Sequence, residues 1–164
     1  MHEIASADAT SGKHVEDHTS GRYSCPIYGD YTMILRFFDM QDQTNPFNGL
    51  VICNNETLAA VLESFRNRKP FFAELLGENG DNLLIGIGGT LGCVQHSRDD
   101  GNPPYLMAVA TPMNRNAGDI EFLAGDTDTP IRARHILPFE QVKQIAIHFR
   151  ETGAPSRGVS WEEV

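Results

Sequence analysis

The sequence predicts a single α+β domain, in which a mostly antiparallel β-sheet carries two main helices packed on it. Strand-like segments follow one another along the chain without the regular strand and helix alternation of a parallel sheet. Only two stretches repeat their apolar residues at helical spacing. With 164 residues, of which 40% are hydrophobic, the chain is long enough to bury one core.

Residues 1–24 are predicted to form a flexible arm, because they are rich in Ser, Thr, Gly, Asp and His and contain few large apolar residues. His14 and His18 have the spacing of a zinc-binding helix. The acidic residues between them are misplaced for an HExxH motif, and the flanking residues are poor helix formers. We therefore predict no metal site and no other cofactor, and place the single domain at residues 25–164.

In the first half of the domain, YTMILRFF and GLVIC are predicted strands on either side of the loop QDQTNPFNG. The segment NNETLAAVLESFRNRK is predicted to be an amphipathic helix behind two possible asparagine caps. Its apolar residues recur at helical spacing, and they are Leu58, Val61, Leu62 and Phe65.

The segment LLIGIGGTLG, residues 83–92, raises the question of a nucleotide-binding loop. Gly86 and Gly88 are followed by Leu91 where a dinucleotide motif has its third glycine, and no phosphate-binding lysine follows. We therefore predict a central β-hairpin, with Gly88 and Gly89 as one possible turn and the exact register left open. Glycines at 86 and 92 would let another backbone or a helix approach closely.

In the second half, SRDDGNPP is a predicted bend and YLMAVAT a buried strand. DIEFLA and IRARHIL are a predicted strand pair around the loop GDTDTP, with one face formed by Ile131, Ala133, His135 and Leu137. The second helix is predicted to begin at Pro138 and to end at Gly153 and Pro155. Its apolar stripe consists of Phe139, Val142, Ile145, Ala146 and Phe149.

The charge balance indicates the class of partner. Thirteen basic and 22 acidic residues give a formal net charge of −9, which disfavours nucleic acid and anionic membranes and favours a basic partner. No segment has the apolar length of a membrane span or a signal peptide. The three widely spaced cysteines, Cys25, Cys53 and Cys93, are predicted to be reduced and buried, and we expect a cytoplasmic protein.

Acidic side chains in or beside the predicted loops form the candidate binding site. Together they could make a negative rim that steers a basic partner, although scattered, solvated loop charges would produce the same pattern. The carboxylates are Asp99, Asp100, Glu121, Asp126, Asp128, Glu162 and Glu163. Trp161 beside them either covers the core or anchors an interface.

Two other function classes are considered. A Cys/His-dependent enzyme would need the Cys93 thiolate within hydrogen-bond reach of His96 or His135, but cysteine and histidine on apolar strands are more often structural. A regulatory module would bind a small ligand in a pocket beside the hairpin. We predict no catalytic residue.

The segment from residue 56 to 164 resembles the first-numbered immunity protein family of bacterial polymorphic toxin systems, often paired with deaminase toxins. The resemblance lies in LLIGIGGTLGCVQHS and in the ending HFRETG to WEEV. The matching residues are Pro138, Phe149, Gly153, Pro155, Trp161 and Glu162. The resemblance implies a small, cytosolic, non-catalytic protein that binds its cognate toxin domain and occludes the active site of the toxin. The residues of the acidic rim and Trp161 would then be the toxin-binding residues.

Overall fold

The computed structural model describes residues 33–98, 100–111 and 118–164. The predicted arm, residues 25–32 of the predicted domain, the pair His14 and His18, and the rim residue Asp99 lie outside the described residues. The described chain forms ten strands, two α-helices and one short 3-10 helix. The strands are β1 (Leu35–Asp39), β2 (Leu50–Ile52), β3 (Phe71–Gly77), β4 (Asp81–Gly88), β5 (Leu91–Arg98), β6 (Leu106–Val109), β7 (Ile120–Ala124), β8 (Thr127–Ile131), β9 (Leu137–Pro138) and β10 (Ser160–Glu163). The helices are α1 (Asn55–Ser64), α2 (Phe139–Thr152) and the 3-10 helix (Ala133–His135).

The strands form one sheet in the order β10-β6-β5-β4-β3-β1-β2, and every neighbouring pair along this path is antiparallel. The hairpin β7–β8 joins the sheet by one parallel contact, Phe71 beside Leu123, and β9 pairs with the start of β5. This architecture confirms the predicted α+β fold with a mostly antiparallel sheet and two main helices.

Both helices pack on the same face of the sheet and enclose the main core. The predicted stripe of α1 is buried, and so are all five stripe residues of α2. They meet alternate side chains of the central strands, among them Leu35, Phe37, Ala73, Leu75, Leu83, Ile85 and Val94. Because strand side chains alternate between faces, the other half of each strand points away from the helices.

The helix ends follow the predicted capping residues. The Asn54 side chain accepts a hydrogen bond from the Thr57 amide at 2.7 Å, so Asn54 caps α1. Pro138 immediately precedes the first turn of α2, and Gly153 ends it in the left-handed conformation at φ 68°. The buried Arg150 joins the helices, since its guanidinium donates to Asn55 Oδ1 at 2.6 Å.

The glycine-rich segment is the predicted hairpin β4–β5, at the centre of the sheet. The turn register, which the sequence left open, lies one residue after Gly88-Gly89: Gly88 pairs with Leu91, so the turn residues are Gly89 and Thr90. Gly89 has φ 65°, which explains why the turn centres there. The predicted close approach of a helix is confirmed at Gly92, where a Cβ would lie 3.0 Å from Val142 of α2, whereas a Cβ on Gly86 would meet the side chains of Cys93 and Phe122.

The predicted strand IRARHIL is wrong. The strand that pairs with β7 is TDTPI, which the sequence analysis placed mostly in a loop. Residues 133–135 instead form the 3-10 helix, and only Leu137 and Pro138 return to the sheet. His135 and Leu137 are nevertheless buried as predicted. The hairpin closes immediately after β7 because Gly125 and Asp126 both adopt positive φ, at 53° and 62°.

The cysteines differ from one another. Cys93 is a free, buried thiol, as predicted. Cys53 is half-buried and disulfide-bonded, so the prediction of three reduced, buried thiols is wrong for this residue. Disulfide pairing depends on the approach of two Cα atoms in the fold, which sequence spacing does not reveal. This bond removes one of the observations that favoured a reducing compartment. Neither described helix has the length and apolarity to cross a bilayer.

Candidate functional site

The acidic residues predicted to form one rim lie on two parts of the chain, the β7–β8 hairpin and the region of β10, and these parts approach each other where Pro130 of β8 and Glu163 of β10 line one cavity. The hairpin group comprises Glu121, Asp126 and Asp128 of β7–β8, which meets the sheet at the start of β3. The edge group comprises Asp100, Glu162 and Glu163, which lie beyond the end of β5 and on the edge strand β10.

The hairpin group is exposed and is attached to the loop that follows β1. The Gln41 side chain donates to Asp126 Oδ1 at 2.6 Å and accepts from the Asp126 amide at 3.0 Å. The Gly125 amide also donates to the Met40 carbonyl at 3.0 Å. Asp128 lies 3.9 Å from the Lys69 ammonium, a solvated pair that contributes little to stability. These contacts fix the turn and leave its carboxylates facing solvent.

In the edge group, Glu162 is part of a polar network. Its carboxylate lies 3.0 Å from the Arg134 guanidinium, and Arg134 Nε donates to His135 Nε2 at 3.1 Å. His135 Nδ1 therefore carries the ring proton and donates to the Ala108 carbonyl at 3.1 Å. Asp100 is fully exposed, and its carboxylate accepts the Asn102 amide, which lowers the pKa of the carboxyl.

Trp161 belongs to the core side of β10. It is half-buried, packs against the main core, and its indole N–H donates to the Ser156 carbonyl at 2.8 Å. These contacts supply a structural role for the tryptophan. Its assignment to an interface remains a prediction.

The Cys/His arrangement predicted for an enzyme is not assembled by β5. Cys93 and His96 are three positions apart on one strand, so their side chains point to opposite faces of the sheet. The Cys93 thiol packs with Phe122 and Ile136, and its burial raises the pKa to about 12. His96 packs edge-on against Phe149, and burial lowers its pKa despite Asp81 Oδ2 at 3.4 Å.

The side of the sheet opposite the helices was not singled out by the sequence. Strand register places two rows of side chains across the part of this side that the β7–β8 hairpin leaves uncovered, and we call these rows the open face. The hairpin and Ile136 cover Phe72, Cys93 and also Met107 at the end of the first row, in a second apolar cluster against which Leu84 packs. The first row runs Phe38, Glu74, Leu84, Gln95 and Met107 across β1, β3, β4, β5 and β6. The second runs Val51, Arg36, Leu76, Asn82 and Ser97 across β2, β1, β3, β4 and β5.

A hydrogen-bonded polar chain crosses the middle of the open face. The Ser97 hydroxyl donates to Asn82 Oδ1, and Asn82 Nδ2 donates to Glu74 Oε1 at 2.8 Å. Half-buried Phe38, Leu76 and Leu84 lie beside this chain. An apolar surface therefore surrounds one carboxylate.

Two cavities lie at the ends of the open face. One of about 320 Å³ is lined by Ile34, Arg36, Val51, Leu76, Gly77 and Glu78. The other, of about 390 Å³, lies between β5, β6, β8, the 3-10 helix and the end of β10; its lining includes Gln95, Met107, Arg132, Arg134, His135 and Glu163. Within the described ranges, no group of three potential metal ligands occurs.

The alternation in FFAELLG and DNLLIGIG was the signal that could have revealed the open face. In each segment, positions facing the helices are fully buried, whereas Glu74, Leu76 and Leu84 are half-buried. The pairing of five strands was also needed before these residues could be placed side by side.

The comparisons with known proteins place this fold in a family. The family model described as Immunity protein Imm1 matches residues 53–163, from the start of α1 to the end of β10. No curated protein matched the chain. The family match agrees with the resemblance in the glycine-rich hairpin and the C-terminal helix and strand, and it covers about two thirds of the sequence. The chain therefore belongs to the immunity protein Imm1 family, whose role is immunity against a toxin.

Proposed function

We propose that this protein binds a cognate toxin domain that acts on nucleic acid, with a deaminase as the leading candidate, and blocks its active site in the cytoplasm. The family match supports a toxin as the partner. The observation that carries the rest is the net charge of −9. An enzyme that holds a polyphosphate substrate needs a basic cleft, so an acidic protein has the correct sign to compete for it.

The exposed carboxylates supply long-range attraction. Asp100, Glu121, Asp126 and Asp128 are all exposed to solvent, and none lies inside the core. Charges of this kind accelerate association and add salt dependence, while contributing little to the lifetime of the complex. The inhibitor itself requires no chemistry, since a bound protein excludes the substrate from the cleft.

The test is direct inhibition. If the neighbouring upstream gene encodes a toxin domain, that domain is purified, and its activity on nucleic acid is titrated with this protein. We expect inhibition that is complete at one molecule of protein per toxin, with an association rate that falls steeply as salt rises. Undiminished toxin activity at a several-fold excess would contradict the proposal.

Reversing the two acidic groups separately shows which group faces the toxin. One variant carries Asp100→Lys and Glu163→Lys, and the other carries Glu121→Lys and Asp128→Lys. Because the groups lie on different elements, we expect one variant to slow association more than the other. Glu56→Lys on the opposite side of the protein is the matched control. Equal association rates for all four proteins would exclude both groups from the steering surface.

The cavity of about 390 Å³ favours a second candidate function, a small-ligand-binding module. Its volume is typical of ligand pockets, and Arg132, Arg134 and His135 would suit an anionic ligand. A thermal shift produced by anionic metabolites without the toxin would support this alternative.

A further inference from the structure

The open face combines one central carboxylate with an apolar surrounding, and none of the acidic groups described above includes it. We propose that this face is the main docking surface for the toxin domain, and that Glu74 receives a cationic side chain of the toxin at its centre. The inference rests on the proposed function and names the contact surface that the proposed function leaves undefined.

The surroundings of Glu74 favour a cation from outside the chain. Phe38 and Leu84 are its direct cross-strand neighbours, and Asn82 is its hydrogen-bond donor. Among the residues that the structure describes, no Lys, Arg or His lies within ion-pairing distance of this carboxylate. A half-buried carboxylate with a single neutral donor retains free acceptor positions, and a guanidinium or ammonium group fills such positions with charge-assisted hydrogen bonds.

The apolar side chains around Glu74 would strengthen that contact. An antiparallel sheet with one face on its core usually presents polar residues on the other face. Here Phe38, Val51 and Leu76 occupy outward positions instead, next to Leu84, which packs partly against the second apolar cluster. When a partner covers such a surface, the apolar surrounding excludes water from the central ion pair, as around the dominant contacts of protein interfaces.

The dimensions also suit a protein partner. The five strands from β2 to β5 span about 19 Å at the usual strand spacing, whereas the outward-facing Met107 on β6 is buried. A standard interface of about 800 Å² per partner is about 28 Å on a side, so the open face could form the central part of one. The two cavities at its ends, of about 320 and 390 Å³, offer space for protruding side chains of the partner.

Charge complementarity selects the toxin over a second copy of this chain. In a symmetric dimer through the open face, the same central carboxylate would be present on both sides of the interface. The two Glu74 side chains would then be buried near each other, which is unfavourable for like charges. A cationic group on the toxin would instead attract the Glu74 carboxylate.

Glu74→Gln tests the proposal, because it removes the charge while conserving the shape of the side chain. We expect the Kd for the inactive upstream toxin domain to rise by about 30-fold or more, mainly through faster dissociation. Leu84→Ser should also weaken binding, and Glu56→Gln on exposed α1 is the control. Thermal unfolding of each variant verifies its fold.

Carboxyl footprinting of the wild-type protein gives a readout that does not depend on variants. We expect toxin binding to slow the labelling of Glu74 and to leave Glu56 unchanged. If the wild type inhibits the toxin but Glu74→Gln binds equally well and Glu74 stays reactive, the docking surface is wrong and the proposed function stands. If the wild type does not bind, the proposed function itself fails. A dimer of the free protein that protects Glu74 from labelling, or Glu74 labelling that rises when residues 1–22 are deleted, would assign the face to another occupant and overturn the inference.

Discussion

Replacement of Asp39 should destabilise the protein and loosen the loop that holds the hairpin group. The Asp39 side chain is fully buried at the end of β1 and accepts four hydrogen bonds. The donors are the amides of Gln41 and Asp42, the Asn45 side chain and the Arg68 guanidinium, at 2.7 to 2.9 Å. The same loop binds Asp126 through Gln41, so Asp39 connects the core to a proposed steering surface.

The expected magnitude follows from the donors that Asp39→Ala would leave without an acceptor. Three neutral donors at about 1 kcal/mol each give about 3 kcal/mol. The Arg68 side chain is 34% exposed and stacks over Phe71, so water compensates most of its loss and adds less than about 1 kcal/mol. We therefore expect the free energy of unfolding to fall by about 3 to 4 kcal/mol. Since domains of this length lose about 2 to 4 °C in Tm per kcal/mol, Tm should fall by about 10 °C.

The pH dependence gives a second test of the same carboxylate. Burial raises the pKa of Asp39, but the hydrogen bonds from Asn45, Arg68 and the two amides outweigh it and lower the pKa below its usual range. A carboxyl with a lowered folded pKa stabilises the protein above its unfolded pKa of about 4 and loses this contribution as the pH falls through the folded pKa. The stability difference between wild type and Asp39→Asn should therefore be constant at neutral pH and shrink in acid.

Urea unfolding followed by circular dichroism measures these differences, with Asp100→Asn on the exposed turn as the control. The control should leave the unfolding midpoint nearly unchanged, because Asp100 lies at the surface. The reasoning about Asp39 would be refuted if Asp39→Ala lowered the free energy of unfolding by less than about 1 kcal/mol, the contribution of a single neutral hydrogen bond.

Three further predictions follow from the hairpin, the buried thiol and the arm. Gly92→Ala should lower the free energy of unfolding by about 2 kcal/mol or more in urea, because the new Cβ would lie 2.4 Å from the Gly86 carbonyl oxygen. The control Gly118→Ala should be nearly neutral, because no atom lies within 4 Å of its new Cβ. The buried Cys93 thiol, with a pKa of about 12, should resist iodoacetamide at pH 8 until the protein is unfolded, and rapid labelling of the folded protein would contradict this. Deleting residues 1–22 should leave the Kd for the toxin nearly unchanged, and a large loss of affinity would show that the arm contributes to binding.

The elements that could be predicted from sequence are those specified by nearby residues. Helix α2 is the best example, since its buried stripe repeats every three or four residues from Phe139 to Phe149 and a left-handed Gly153 ends it. Both signals lie within the helix or at its end, and tertiary contacts reinforce them. The same reasoning explains the Asn54 cap and the glycines of the central hairpin.

The failures occurred where distant contacts overrode a local pattern. IRARHIL alternates like a strand. After Ile131, however, the chain forms the 3-10 helix, in which the His135 ring is hydrogen-bonded to the Ala108 carbonyl. TDTPI has too few apolar residues to predict a strand. It forms β8 because β7 supplies its pairing partner and because Phe122 of that hairpin packs against Phe72 of the sheet. The acidic rim stays a prediction, because the composition of a loop does not specify where on the sheet the loop lies.

The positions of the acidic residues separate two physical roles that net charge alone combines. An exposed carboxylate such as Asp100 acts at a distance through a field that salt screens, so its effect lies in the association rate. Glu74 is half-buried between Phe38 and Leu84, so its effect requires contact and lies in the dissociation rate. The two roles should therefore respond differently to salt: the loss caused by Asp100→Lys should diminish at high ionic strength, whereas that caused by Glu74→Gln should persist. If both losses disappeared in salt, Glu74 would act only as one more surface charge, and the open face would not be the site of contact.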